Sequence, residues 1–93
     1  MSEMKPSYFK DEKEPSNTRF ISFKGGSERF DLAIITANSL GDDYIILDMN
    51  SNKYSRLNTE TIDQPNYVEH ALQYNEMEAE DFRAYIKPLL NKN

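Results

Sequence analysis

The sequence predicts an α+β domain: a four-stranded antiparallel β-meander followed by two C-terminal α-helices, with a flexible N-terminal arm. Two observations carry the prediction. Between Arg19 and Leu57, short aromatic and β-branched runs alternate with clusters of Gly, Asn, Ser and Asp, the pattern of strands joined by tight turns. After Asn58 the apolar period changes from two residues to about 3.6, which is typical of helices. At 93 residues the chain fits one domain.

The arm is predicted over residues 1–18. Its Lys, Glu, Asp, Pro and Ser residues offer little apolar surface to offset the entropy lost on ordering, and only Tyr8 and Phe9 are adjacent apolar anchors. The single α+β domain is therefore expected to occupy residues 19–93.

Four strands follow the arm. They are predicted over residues 19–24, 28–36, 44–49 and 53–57. Gly25 and Gly26 stand between the first two, where a tight hairpin requires positive φ. Asp48 to Asn52 imitates the opening of a calcium loop, but Lys53 stands where that loop needs Gly. We therefore interpret this segment as a polar hairpin turn and predict no metal site.

Two helices are predicted after the strands. Asp63 is the candidate N-cap of the first, which is expected to reach about residue 74. Asn75 and Glu78 have the spacing of a capping box at the start of the second helix. Pro88 is expected to end or kink that helix near residue 87, because proline removes a backbone N–H and clashes with the preceding turn.

Alternate residues of a strand share a face, so the sequence also predicts two sheet faces. One face is expected to lie under the helices: Ile21, Phe23, Phe30, Leu32, Ile34, Ile45, Leu47 and Met49. The opposite face is also apolar and is the candidate dimer or partner interface: Phe20, Ala33, Ile35, Tyr44 and Ile46. A helix, the arm or a second subunit could cover it, and we favour a two-fold homodimer, the commonest assembly of soluble proteins.

A second candidate partner surface lies on the first helix. Tyr67, His70 and Tyr74 have i, i+3 and i+7 spacing and would form an aromatic strip. Catalysis by His70 is the weaker interpretation, because no acid is placed to pair with it. Packing within the domain is the main alternative to partner contact.

A third candidate site is a basic patch at the first hairpin, formed by Arg19, Lys24 and Arg29. It is the only region in which phosphate contacts could cluster. The net charge of −5 argues against a general nucleic-acid binder, since such binding depends on neutralising phosphates. Because Glu28 and Asp31 are interspersed with these residues, we favour protection of the strand edge by charge as their role. We therefore expect no nucleic-acid partner and keep phosphate contact by this patch as an alternative.

The residue inventory restricts the chemistry further. With no Cys and one His, the chain has no disulfide, no thiolate metal site and no pair of imidazoles. A small domain without disulfides points to the reducing cytoplasm. We find no signal peptide, membrane span, cofactor motif or catalytic motif, and expect a protein that is not an enzyme.

Three segments carry a resemblance to a known family: 30–36 (FDLAIIT), 44–48 (YIILD) and 82–86 (FRAYI). The chain resembles a small uncharacterised family of cytosolic proteins from Gram-positive Firmicutes. The resemblance implies a bacterial cytoplasmic domain and brings no activity or catalytic residues with it.

The function that we expect is that of a non-enzymatic homodimeric protein-interaction or regulatory module with an unidentified protein partner. The alternatives are a nucleic-acid-associated protein that uses the basic patch and an enzyme with a site formed across the dimer.

Overall fold

A computed structural model describes Ser7 and residues 13–26 and 28–90, and it confirms the four-stranded antiparallel sheet followed by two helices. The strands are β1 (Ser16–Lys24), β2 (Arg29–Ala37), β3 (Tyr44–Asp48) and β4 (Lys53–Leu57), and the helices are α1 (Tyr67–Leu72) and α2 (Glu76–Leu90). Neighbouring strands in the sheet are neighbours in the chain, in the order β1-β2-β3-β4. The anchors Tyr8 and Phe9 of the predicted arm lie outside the described residues.

The first hairpin departs from its prediction in two ways. β1 begins at Ser16, within the segment predicted as arm, and pairs with β2 along its whole length. Neither Gly25 nor Gly26 has positive φ, so that expectation is wrong. Glycine at position 25 permits a close approach instead, because a Cβ there would lie 2.5 Å from Oδ2 of Asp81 and the Asp81 side chain would have to move. The Gly26 N–H donates to that same oxygen at 2.8 Å, which ties the hairpin to α2.

The core lies between one face of the sheet and the two helices. Its buried side chains come from β2, β3 and β4, from both helices and from the 3-10 turn at Thr61–Asp63: Phe30, Leu32, Ile34, Ile46, Leu57, Ile62, Val68, Leu72, Ala79, Phe82, Ile86 and Leu90. β1 contributes the partly buried Ile21 and Phe23. At roughly 1.5 to 3 kcal/mol for each large buried side chain, this cluster is the main favourable term in folding.

The faces of β3 are the reverse of those predicted. Ile46 pairs with Ile34, and residues that pair directly across antiparallel strands point to the same side of the sheet. Ile46 is accordingly 0% exposed in the core, and the Tyr44 hydroxyl donates to the carbonyl of Leu90 at the end of α2. Ile45 and Leu47 lie on the opposite face.

The first helix is shorter than predicted. Residues 61–63 form a separate 3-10 turn, and α1 begins only at Tyr67, after Asn66 adopts a left-handed conformation with φ 63°. Gln73 is also left-handed, with φ 58°, and ends the helix after Leu72. Tyr74 is therefore outside α1, and the i+4 spacing expected between it and His70 does not apply.

The second helix begins as predicted and continues beyond the predicted end. The Asn75 N–H donates to the Glu78 carboxylate at 2.9 Å, and the Glu78 N–H donates to the Asn75 side chain at 2.7 Å, so the capping box is confirmed. α2 includes Pro88 and continues to Leu90, so an end near residue 87 is wrong, while a kink there stays a prediction. The burial of Leu90 in the core stabilises the last turn in spite of the proline.

Candidate functional site

The face of the sheet opposite the helices is covered by no described element. We call it the open face and define it by its apolar residues: Phe20, Ala33, Ile35, Ile45, Leu47 and Tyr54. Phe20 pairs with Ala33, Ala33 with Leu47, and Leu47 with Tyr54, so these four form one continuous row across all four strands. None of the residues of the open face belongs to the core cluster or packs against it.

The largest side chains of the row stand at its two ends. Phe20 on β1 is 69% exposed and Tyr54 on β4 is 70% exposed, whereas Ala33 between them is almost fully buried. Ile45 and Leu47 are half-buried. The open face is therefore an apolar strip with a raised aromatic ring at each edge and a low centre.

One end of the open face is bounded by a polar network around Asp31. Its carboxylate accepts hydrogen bonds from the Ser22 hydroxyl at 2.6 Å, from the Arg29 guanidinium at 3.1 Å and from the Asn50 side-chain amide at 3.2 Å. These donors, the Ser22 hydroxyl above all, hold the pKa of Asp31 below its ordinary value. The charge at this edge is thus already partnered within the chain.

A second polar network bounds the other end. Asp43 accepts hydrogen bonds from the Asn58 side-chain amide at 2.9 Å and from the Arg56 guanidinium at 2.7 Å, and these donors, Asn58 above all, lower the pKa of Asp43. An apolar centre with an internally paired polar rim is the usual anatomy of a protein–protein interface.

The structure brings together only part of the interface that the sequence predicts. Phe20, Ala33 and Ile35 share the open face, but Tyr44 and Ile46 lie on the helix side, so they cannot form one surface with the first three. Ile45, Leu47 and Tyr54 belong to the open face and were not predicted there. Tyr54 and Leu57 are three residues apart on one strand and therefore point to opposite faces. Assigning Leu57 to the core would have placed Tyr54 on the open face.

The predicted aromatic strip does not form a surface. The Tyr67 hydroxyl donates to the carbonyl of Arg56 at 2.6 Å, the Tyr74 hydroxyl donates to the Asp48 carboxylate at 2.6 Å, and both rings pack against the core. Only His70 is exposed. These tyrosines hold the helical layer to the sheet, which is the packing role that the sequence left open.

The predicted basic patch is divided between the two faces of the sheet. Arg19 pairs with Ile34 and therefore points to the helix side, whereas Lys24 and Arg29 pair with each other on the other side. Arg29 is engaged by Asp31 at 3.1 Å. The three residues do not form a single phosphate-contacting surface.

An acidic cleft is the feature that sequence reasoning missed. It has a volume of about 250 Å³ and lies where the first hairpin, the β3–β4 turn and the junction between the helices meet. Glu28, Asp48 and Glu78 line it together with Tyr74 and with Arg29, whose guanidinium is paired with Asp31. These residues are distant in the sequence, and no local motif connects them.

Asp48 organises the turn at the edge of this cleft. One of its carboxylate oxygens accepts the N–H groups of Asn50 at 2.9 Å and Ser51 at 3.3 Å, and the other accepts the Tyr74 hydroxyl. Asn52 completes the turn with φ 60°. The prediction of a polar hairpin turn is confirmed.

The other two carboxylates of the cleft interact with each other. A hydrogen bond and charge repulsion from Glu78 raise the pKa of Glu28, because two neighbouring carboxylates favour the state in which one is protonated. Within residues 13–26 and 28–90, no group of three His, Asp or Glu side chains is arranged to hold a metal ion. In the same ranges no helix is both long enough and apolar enough to span a membrane.

Residues 9–88 match the model of a family described as SAV0927-like, which covers the open face, the acidic cleft and nearly all of α2. No curated protein matches the chain.

Proposed function

From the premise that the chain belongs to the SAV0927-like family, a small family of unknown function, we propose that it is a non-enzymatic protein-interaction or regulatory module that forms a homodimer through its open face. The proposal places it in the bacterial cytoplasm, in keeping with the absence of cysteine. The observation that carries the proposal is the continuous apolar row from Phe20 to Tyr54 on a face that no described element covers.

The size of the open face is compatible with a second copy as its occupant. Two nine-residue strands and two five-residue strands build it. At about 3.3 Å per residue and 4.8 Å between strands, its flat area is roughly 450 Å² per copy. The two copies together would bury about 900 Å² of flat sheet area, before the additional area of the protruding side chains is counted. This total is close to the roughly 1,000 Å² of buried surface that a specific interface needs. We therefore expect a dimer that dissociates on dilution.

The apolar row and the charges of the open face also suit a second copy. A two-fold axis near the centre of the face places the apolar row of one copy over that of the other, with the strands of the two sheets roughly aligned. Asp31 and Asp43 keep their internal partners at the rim, so docking leaves no unpaired charge in an apolar contact.

The test compares two exposed apolar residues by light scattering coupled to size-exclusion chromatography. Tyr54→Ser removes an aromatic ring from the open face, and Met77→Ser removes a side chain that is 60% exposed on α2. The wild type and Met77→Ser should approach twice the 10.9 kDa chain mass at high concentration, and Tyr54→Ser should remain monomeric. A wild type that stays monomeric at every concentration, or a Tyr54→Ser dimer of unchanged affinity, would show that the open face is not the dimer contact.

The nucleic-acid alternative has weaker support. Its three basic residues are divided between two faces, and Arg29 already has a carboxylate partner. A labelled oligonucleotide titrated at low salt should show no binding, and a salt-sensitive shift abolished by Arg19→Ala would favour the alternative. For an enzyme, the supporting feature among the described residues is the Glu28–Glu78 carboxyl pair.

A further inference from the structure

β1 is an edge strand whose outer backbone groups can be assigned. The Gly25 N–H donates to the carbonyl of Glu28 at 2.7 Å, so this pair is a hydrogen-bonded pair of the β1–β2 ladder. Hydrogen-bonded and non-hydrogen-bonded pairs alternate along an antiparallel ladder, so the odd residues of β1 bond to β2. The even residues, Thr18, Phe20 and Ser22, therefore direct their N–H and C=O groups away from the sheet.

These outward groups have no partner within the described part of the chain. No backbone or side-chain hydrogen bond there reaches the main chain of Thr18, Phe20 or Ser22. The strand is nine residues long, contains no proline, and is exposed from Ser16 to Phe20. Natural edge strands usually prevent pairing with short strands, prolines, bulges or charged side chains, because a long open edge is a template for pairing with another chain. Of these devices β1 has only the charges of Arg19 and Lys24.

The charged residues of β1 indicate what kind of segment would pair with its outer edge. Arg19 and Lys24 are the only charged residues of β1, and both are basic. Arg19 lies on the helix side and Lys24 on the open-face side. A second β1 paired about its midpoint would place its own Arg19 diagonally beside this one, at a distance where like charges repel. A segment with acidic side chains at those positions is the better complement.

We propose that the outer edge of β1 accepts an extended segment of another protein as a fifth, antiparallel strand that carries acidic residues opposite Arg19 and Lys24. Main-chain bonds to Thr18, Phe20 and Ser22 would supply affinity, and the two basic side chains would supply selectivity. The two acids of the segment would be five positions apart and on opposite faces. A cavity of about 210 Å³ beside Arg19, lined in part by Ile34 and Leu89, has room for one further side chain.

This inference goes beyond the proposed dimer. Packing through the open face leaves the backbone edge of β1 unpaired in each copy, so a dimer would offer two equivalent edges. The Tyr54→Ser variant, monomeric under the proposed function, should bind such a segment as the wild type does. Failure of one proposal is therefore distinguishable from failure of the other.

The probe is a nine-residue fluorescent peptide of alternating valine and threonine with glutamates at positions 1 and 6, and its control carries lysines there. Thr18→Pro removes one outward N–H without touching the β1–β2 ladder, and Thr18→Val keeps that N–H. The glutamate peptide should bind at least roughly tenfold more tightly than the lysine peptide, and Thr18→Pro, unlike Thr18→Val, should weaken it by a similar factor. In the wild type, the peptide should slow amide exchange at Thr18, Phe20 and Ser22.

The amide-exchange measurement on the wild type does not depend on the folding of any variant. Equal binding of the two peptides, or no change in exchange at these three amides with saturating peptide, would overturn the proposal. Protection already present in the free monomer would assign the edge to another part of this chain. Protection that rises with protein concentration alone would show that a second copy pairs with the edge of β1. Either result would refute pairing of this edge with a segment of another protein.

Discussion

Replacing Tyr74 by Phe tests the hydrogen bond that joins the helical layer to the sheet. The Tyr74 hydroxyl donates to the Asp48 carboxylate at 2.6 Å, and Asp48 is only 5% exposed. Burial, followed by the hydrogen bond to Asp48, raises the pKa of Tyr74, so the hydroxyl keeps its proton throughout the neutral range. The variant keeps the ring and removes only the donor. We expect a clear loss of stability with the fold intact.

The magnitude follows from what remains after the hydroxyl is removed. The ring centroid of Tyr74 lies 5.6 Å from those of Phe30 and Phe82, and a phenylalanine preserves both contacts. One oxygen of a nearly buried carboxylate loses its donor. Hydrogen bonds to charged groups are worth about 1.5 to 3 kcal/mol, so the free energy of unfolding should fall by about 2 kcal/mol. With a urea m-value of about 1 to 2 kcal/mol/M, the midpoint would fall by roughly 1 to 2 M.

The control is Tyr67→Phe, measured by the same urea titration. Its hydroxyl also donates at 2.6 Å, but to the carbonyl of the exposed Arg56, where water can replace it. This substitution should cost about 0.5 kcal/mol. If Tyr74→Phe costs no more than Tyr67→Phe, the buried contact with Asp48 does not stabilise the fold as argued.

Three further predictions concern the hairpin and α2. Gly25→Ala places a Cβ against the Asp81 carboxylate, which must move away from the Gly26 N–H, and should lower the unfolding free energy by about 1 kcal/mol in urea. An unchanged midpoint would refute the close approach. Asn75→Ala removes the N-cap of α2 and should cost about 1 kcal/mol in the same assay, and a loss of under a few tenths would contradict the capping role. The pKa of Glu28 is raised in the folded chain, so the folded state binds its proton more tightly and stability falls as pH rises from the ordinary Glu value through the raised one. Glu28→Gln should abolish that fall and stabilise the chain at neutral pH, and an identical pH profile would show that Glu78 does not act on it.

The parts of the fold that could be predicted are those specified by local chemistry. The Asn75 capping box is a four-residue pattern, and the strands are marked by β-branched runs between turn formers. The faces of β3 could not be predicted in this way, because residues 44–47 are apolar on both sides and alternation does not distinguish them. The 3-10 turn at Asn38–Leu40 and Gly41, with φ 62°, set which residue of β3 first meets β2.

The candidate sites show the same division. The existence of a second apolar face follows from composition and alternation alone, but its membership depends on register. The division of the basic patch could have been predicted, because Arg19 and Lys24 are five residues apart on one strand and alternation places them on opposite faces of the sheet. The acidic cleft needs the tertiary fold, because Glu28 and Glu78 meet only when α2 packs beside the first hairpin.

The order of elements along the chain has a consequence for synthesis. All four strands precede both helices, and each strand pairs with its immediate neighbour in the sequence. Pairing of this kind needs only short loop closures, so the sheet can form as soon as it leaves the ribosome. The face that becomes the core, with Phe30, Leu32 and Ile46, then faces solvent until α2 has also left the ribosome. During that interval both surfaces of the nascent sheet are apolar, and it is then that the chain is most in need of a chaperone.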